Sequence, residues 1–218
     1  MHDYLWMLPS LYSVPVAIYA VFRYNKVDRI FLPFIWYLII SGINETSTIV
    51  TAYVFRNNAV SNNIYRLAEF ILLFFAMRNF GAFEKRSKLF WSIILFVCLC
   101  WIFEYVFQNK IATYEGYIGV YAAVALCTTA VHLLNIQLTT LRGRFFTDPV
   151  FIFCIALIIF FSMGMLTEVF YVSISRQGIK SLPTQIFRIA QGVNFIYVSM
   201  LAYALSRMPR RVAFSLSI

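Results

Sequence analysis

The 218-residue chain is predicted to be an all-α integral membrane protein of seven transmembrane helices, with its N-terminus outside and its C-terminus in the cytoplasm. Three observations predict it. The composition is 61% hydrophobic and 12% charged, against about 45–50% apolar and about 25% charged in soluble domains. That little charge cannot coat a globule of this size with a wetted surface. Seven apolar runs are each long enough for a span, which needs about 20 residues. The basic residues alternate in density between successive connectors, as the positive-inside bias requires.

The spans follow in order. The first covers roughly 4–22, with Pro9 and Pro15 expected to kink it. MHDYLW at the N-terminus has no basic stretch and no small-residue cleavage site follows it, so this run is expected to stay as helix 1. The second and third spans cover 30–55 and 62–82, and a fourth covers 89–107. The last three cover 113–138, 149–173 and 183–206, with Pro149 and Pro183 near helix starts, where a missing N–H costs nothing. The connectors are short and polar, so the chain reads as a single seven-helix domain.

Twelve of the eighteen basic residues lie after helices 1, 3 and 5 and in the tail, including Arg23, Lys26, Arg29, Arg78, Arg86, Lys88, Arg142, Arg144 and Arg207. Four, Arg56, Lys110, Arg176 and Lys180, lie after helices 2, 4 and 6. This asymmetry orients the chain and accounts for most of the net charge of +9 without any nucleic-acid surface. The remaining two, Arg66 and Arg188, are inside spans. Cys98, Cys100, Cys127 and Cys154 fall within spans and read as small apolar filler.

An internal repeat relates the two ends of the chain. Asn63-Ile64-Tyr65-Arg66-Leu67-Ala68-Glu69 opens helix 3, and Gln185-Ile186-Phe187-Arg188-Ile189-Ala190-Gln191 opens helix 7, 122 residues later. Glu45 answers Glu168 at an offset of 123, Asp28 answers Asp148 at 120, and Gly42 answers Gly164. The expected organisation is 3+1+3: repeat 1 over about 1–82, a linker helix over 89–107 and repeat 2 over about 113–206. An odd linker makes the halves parallel, related by a pseudo-two-fold axis along the membrane normal. In architecture alone this resembles sugar carriers of the SWEET type, whose proline–glutamine signature is absent here, so no residue role carries over. The seventh span holds no lysine for a retinal, and Met77-Arg78-Asn79-Phe80 is not the triplet that ends helix 3 of G-protein-coupled receptors.

Ionisable side chains inside spans are costly and mark pathways or pairs. Glu45, Arg66, Glu69, Glu104, Glu168 and Arg188 are expected to share the outer half of the bundle, and His132 lies deeper. Polar stripes at helical spacing carry them, among them Ser41-Glu45-Thr48, Asn62-Arg66-Glu69 and Phe161-Gly164-Glu168. Two repeat-related salt bridges, Glu45–Arg66 and Glu168–Arg188, are expected, leaving Glu69 and Glu104 in excess. A ligand site built from Glu45, Glu69, Glu104, Glu168, Arg66, Arg188, Gln191 and Tyr121 is therefore expected, with His132 as a proton relay. No catalytic residues and no cofactor are expected. The ligand is a small polar or cationic molecule; the other partners are the bilayer and a further copy or a signalling partner. Three functions compete: a small-solute carrier, a ligand-sensing receptor that signals through a separate partner, and a membrane-embedded enzyme with a carboxylate-led metal site from Glu45, Glu69, Glu104 and Glu168.

Overall fold

The computed structural model describes residues 11–84, 86–113, 117–140, 145–175 and 182–209. Among these the chain forms seven α-helices and no strand: α1 Ser13–Arg23, α2 Leu32–Phe55, α3 Ala59–Asn79, α4 Ser87–Ile102, α5 Ile118–Thr140, α6 Pro149–Ser175 and α7 Leu182–Arg207. Pro9, the connectors at 141–144 and 176–181, and Arg210 and Arg211 lie outside the described residues.

Among the described residues, five stretches are long and apolar enough to cross a membrane: Arg29–Phe55, Ser87–Phe107, Ile118–Thr139, Pro149–Phe170 and Arg188–Arg207. The sequence predicts seven. α1 is described over 11 residues. α3 has 21 residues, a length of about 31 Å, but Asn62, Asn63, Arg66, Glu69 and Arg78 make it too polar for the same class. The exterior of the bundle is apolar. Phe22, Tyr53 and Phe107 are 69%, 86% and 76% exposed, a surface suited to lipid.

The helix ends follow from local chemistry. Pro15 falls in the first turn of α1, where it removes no bond of that helix. Asp28 accepts from the Ile30 N–H at 3.1 Å and starts a 3-10 turn, Arg29–Phe31, that leads into α2. Asp148, 120 residues later, accepts from the Phe151 N–H at 2.8 Å and caps α6. α2 stops at Arg56, whose φ of 54° leaves the helical region. α4 ends in a π-turn, Phe103–Phe107, closed by the Gln108 N–H on the Phe103 carbonyl at 3.1 Å.

Consecutive helices pack into two triplets, α1-α2-α3 and α5-α6-α7. The triplets meet where α3 packs on α5 and where α1 packs on α7, and α4 lies against α3 and α5. The interior is rich in phenylalanine. Phe34, Phe70, Phe74, Phe90 and Phe153 are fully buried, with Phe34 and Phe153 edge to face at 5.2 Å across the two triplets. Gly42 lets α1 approach α2, because a Cβ there would collide with the side chain of Ala17. At the other end of α1, Arg23 Nη2 donates to the Leu205 and Met208 carbonyls at 3.1 and 3.0 Å, closing the C-terminus of α7.

Candidate functional site

The site grows from the polar face of α3. Asn63, Arg66 and Glu69 project from this face at spacings of three, so each meets a different neighbour. Asn63 is buried and donates to the Ile111 and Thr113 carbonyls, both at 2.9 Å. Its own carbonyl accepts from Trp101 Nε1 at 2.9 Å. These bonds pin the start of α3 to α4 and to the connector before α5.

One turn further on, Arg66 Nη2 meets Glu168 Oε1 of α6 at 2.5 Å. The pair is half-sheltered, with 30% and 19% of the two side chains exposed. Gly119 of α5 makes room for it: a Cβ there would lie 3.1 Å from Arg66 Nη1 and 3.3 Å from Glu168 Oε1. Arg66 Nη1 is buried without a hydrogen-bond partner among the described residues, and the Tyr105 side chain stands beside the same guanidinium.

Glu69 sits one turn deeper. Its Oε1 accepts from the Tyr37 hydroxyl of α2 and from the Tyr65 hydroxyl of α3, both at 3.2 Å. Tyr37 and Tyr197 of α7 are hydrogen-bonded hydroxyl to hydroxyl at 2.9 Å. Either hydroxyl of this pair can be the donor. Four side chains from α2, α3 and α7 thus form one hydrogen-bonded cluster around Glu69, with Tyr37 and Tyr197 buried and Tyr65 and Glu69 half-buried.

A cavity of about 170 Å³ opens beside these groups. α3 lines it with Arg66, Leu67, Glu69 and Phe70, and α4 with Val97 and Trp101. α5 contributes Ile118, Gly119, Ala122, Ala123 and Leu126, and α6 contributes Phe160, Phe161, Gly164 and Glu168. Around Gly164 the space is open: a Cβ there would meet nothing within 4 Å. The walls are mostly aromatic and aliphatic, and the charges among the lining residues are Arg66, Glu69 and Glu168. An apolar cavity of about 150 Å³ holds benzene, so this one suits a molecule of similar size.

The structure separates the expected site residues. Arg66, Glu69 and Glu168 line the cavity together. Arg66 pairs with Glu168 in the other triplet rather than with Glu45, because the polar face of α3 turns to α5 and α6 across the interface between triplets. Glu45 is half-buried on α2 and lies within electrostatic reach of Glu69. Arg188 is on an exposed face of α7, and Gln191 is half-buried with its Oε1 lacking a hydrogen-bond partner. Glu104 is buried on the π-turn and caps α5, accepting from the Tyr117 and Ile118 N–H groups at 2.8 and 2.9 Å. Its carboxylate is thereby satisfied by a helix start. Tyr121 is exposed on α5, edge to face with Phe96 at 6.4 Å. His132 is exposed further along α5 and does not line the cavity, so it is not brought to the carboxylates as a relay. Among the described residues no three His, Cys, Asp or Glu side chains gather as metal ligands, so the carboxylate-led metal site is not assembled.

Sequence reasoning missed Tyr37, Tyr65, Tyr197 and Gly119. Two had a signal. Tyr37 extends the Ser41-Glu45-Thr48 stripe by one turn, and Tyr65 stands four residues before Glu69. Comparison with protein-family models, with curated proteins and with solved structures finds no match. The functional reading therefore rests on the chemistry of the cavity.

Proposed function

We propose that this chain is a multi-pass membrane carrier for a small organic cation, with its N-terminus outside and its substrate site in the cavity between α3, α4, α5 and α6. The observation that carries the reading is the charge balance of that cavity. Arg66 and Glu168 neutralise each other at 2.5 Å, and Glu69 adds one further carboxylate to walls that are otherwise apolar and aromatic. A monovalent cation with an apolar body restores neutrality and gains contact with Trp101, Phe160 and Phe161. The buried Arg66 Nη1 offers a donor for a hydroxyl on the same solute.

Packing supports a parallel 3+1+3 repeat. If α1, α2 and α3 correspond to α5, α6 and α7, the α3–α5 contact maps onto α7–α1, and both contacts are present. A carrier of this kind has its site between repeats that move against each other, and the cavity borders both triplets.

Choline tests the reading. It is permanently charged, carries a hydroxyl and does not cross lipid unaided. Reconstituted protein is expected to drive accumulation of choline in liposomes, and Glu69→Gln is expected to abolish it while inserting normally. Choline binding without uptake would favour the sensing alternative. No binding, with the protein shown folded, would remove the cavity as a cation site.

A further inference from the structure

Glu69 is the one member of its hydroxyl chain that also lines the cavity. On the other side, Tyr37 lines a second, much smaller void of about 10 Å³ between α1, α2 and α7, with Ser13, Ser41 and Val198. That is about the least space that holds one water molecule. Tyr37 and Glu69 therefore connect the two spaces through one bond of 3.2 Å, and Tyr197 holds the Tyr37 hydroxyl from the side at 2.9 Å.

The repeat sets this chain apart from packing aromatics. At offsets of 122 or 123 residues, Tyr37 corresponds to Phe160, Tyr65 to Phe187, Glu69 to Gln191 and Tyr197 to Phe75. Every member of the cluster has a counterpart that can neither ionise nor pass a proton. Rings of similar size occupy the other half, so packing alone does not require the hydroxyls. The hydroxyls and the carboxylate occur together or not at all.

From these observations we infer that Glu69 exchanges a proton for the cation, so that the carrier is an antiporter with one proton returned for each cation bound. This rests on the cavity reading above. The step balances without any other reactant. The cation enters the cavity beside protonated Glu69, the carboxyl O–H bond breaks, and the carboxylate keeps the electron pair. The proton passes to Tyr37 as Tyr37 releases its own to water in the small void that it lines. The phenol gains one proton and loses one. In reverse, a proton arriving on Glu69 removes the negative charge that held the cation, which is then free to leave.

Several groups face Glu69 and set its balance. Tyr37 and Tyr65 donate to it, and Tyr197 stands behind Tyr37. Arg66 on its own helix and Glu45 on α2 stand within electrostatic reach of it. Glu168 on α6 engages Arg66, and Tyr105 on the π-turn after α4 lies beside the same guanidinium. The α5 wall, Gly119 and Ala122 included, carries no charge.

Infrared titration of the reconstituted protein, with no solute present, tests the proton site directly. A protonated-carboxyl band is expected to grow as pH falls, to vanish in Glu69→Gln and to change midpoint in Tyr37→Phe. A band that is unchanged in Glu69→Gln, or a Glu69 carboxyl that never changes state, overturns the inference whether or not a solute binds. If Glu69→Gln does not fold, Glu69→Asp keeps the carboxyl while drawing it away from Tyr37, and a shifted midpoint is expected. Choline then tests the coupling, since it has no proton of its own to lose. In weakly buffered solution its binding is expected to release one proton per cation, and its affinity to rise about tenfold per pH unit while Glu69 is protonated. Binding without release overturns the antiport and leaves the cation cavity standing; no binding at all overturns both.

Discussion

Arg66 of α3 and Glu168 of α6 close a 2.5 Å ion pair over Gly119 of α5. The pair joins the two helix triplets on the wall of the cavity. It therefore has a double role: it neutralises two charges that would be costly in a bundle interior, and it ties together the halves between which a solute would bind.

Removing one partner should expose that dependence. Arg66→Ala leaves Glu168 without its cation, and breaking a buried pair costs roughly 3–5 kcal/mol. Because the two side chains keep 30% and 19% of their surface, the lower end, about 3 kcal/mol, is expected. Thermal unfolding in detergent should show a marked loss for Arg66→Ala and a smaller one for Glu168→Gln, which keeps a hydrogen-bond acceptor. Unfolding temperatures equal to wild type in both would show that the pair contributes nothing to stability.

The two cavity glycines should respond in opposite ways. Gly119→Ala places a methyl group 3.1 Å from Arg66 Nη1 and 3.3 Å from Glu168 Oε1, so the ion pair must shift, at a cost of about 1–3 kcal/mol. Gly164→Ala meets nothing within 4 Å and should gain up to about 1 kcal/mol from helix propensity. Gly164→Leu should fill the cavity and lower choline affinity without unfolding the protein. Equal stability of the two alanine variants would contradict the close approach at Gly119.

Much of this was legible in the residues. The apolar runs gave the helices, and Asp28 and Asp148 marked the entries to α2 and α6. The Asn62-Arg66-Glu69 stripe picked out the polar face of α3. Partnership was not legible. Repeat logic pairs neighbours within a triplet, whereas Arg66 reaches across to Glu168, because which faces meet between triplets depends on packing that no stripe encodes. Glu104 illustrates the same limit. An unpaired carboxylate in a span suggests a ligand, yet the π-turn carries it onto two backbone N–H groups at the start of α5. His132 had a plausible chemistry but sits on a face that the bundle leaves outside.

Orientation is open to chemical labelling. With the N-terminus outside, cysteines placed at 57–60 and 177–180 should react with an impermeant maleimide on intact cells, and cysteines at 24–28 or 84–88 only after permeabilisation. The basic residues Arg23, Lys26, Arg29, Arg86 and Lys88 flank or occupy the protected positions, as the positive-inside bias requires. The reverse pattern would invert the bundle and place the cavity toward the cytoplasm.

The ion pair also makes the repeat testable. Under the 3+1+3 correspondence Arg66 maps onto Arg188 and Glu168 onto Glu45, so the mate of Arg66–Glu168 is Arg188–Glu45. That pairing likewise joins α7 of one triplet to α2 of the other, as the Tyr37–Tyr197 bond already does at 2.9 Å. Reversing one charge, in Glu45→Arg or Arg188→Glu, should lower stability by placing like charges together. Reversing both should restore most of the loss. Arg188 lies on an exposed face, so the coupling should be smaller than that of Arg66 with Glu168, about 0.5–1 kcal/mol. A double variant no better than the worse single one would show that Glu45 and Arg188 are not partners. The likeness of helices 3 and 7 would then be a match of sequence without the two-fold relation that the carrier reading draws on.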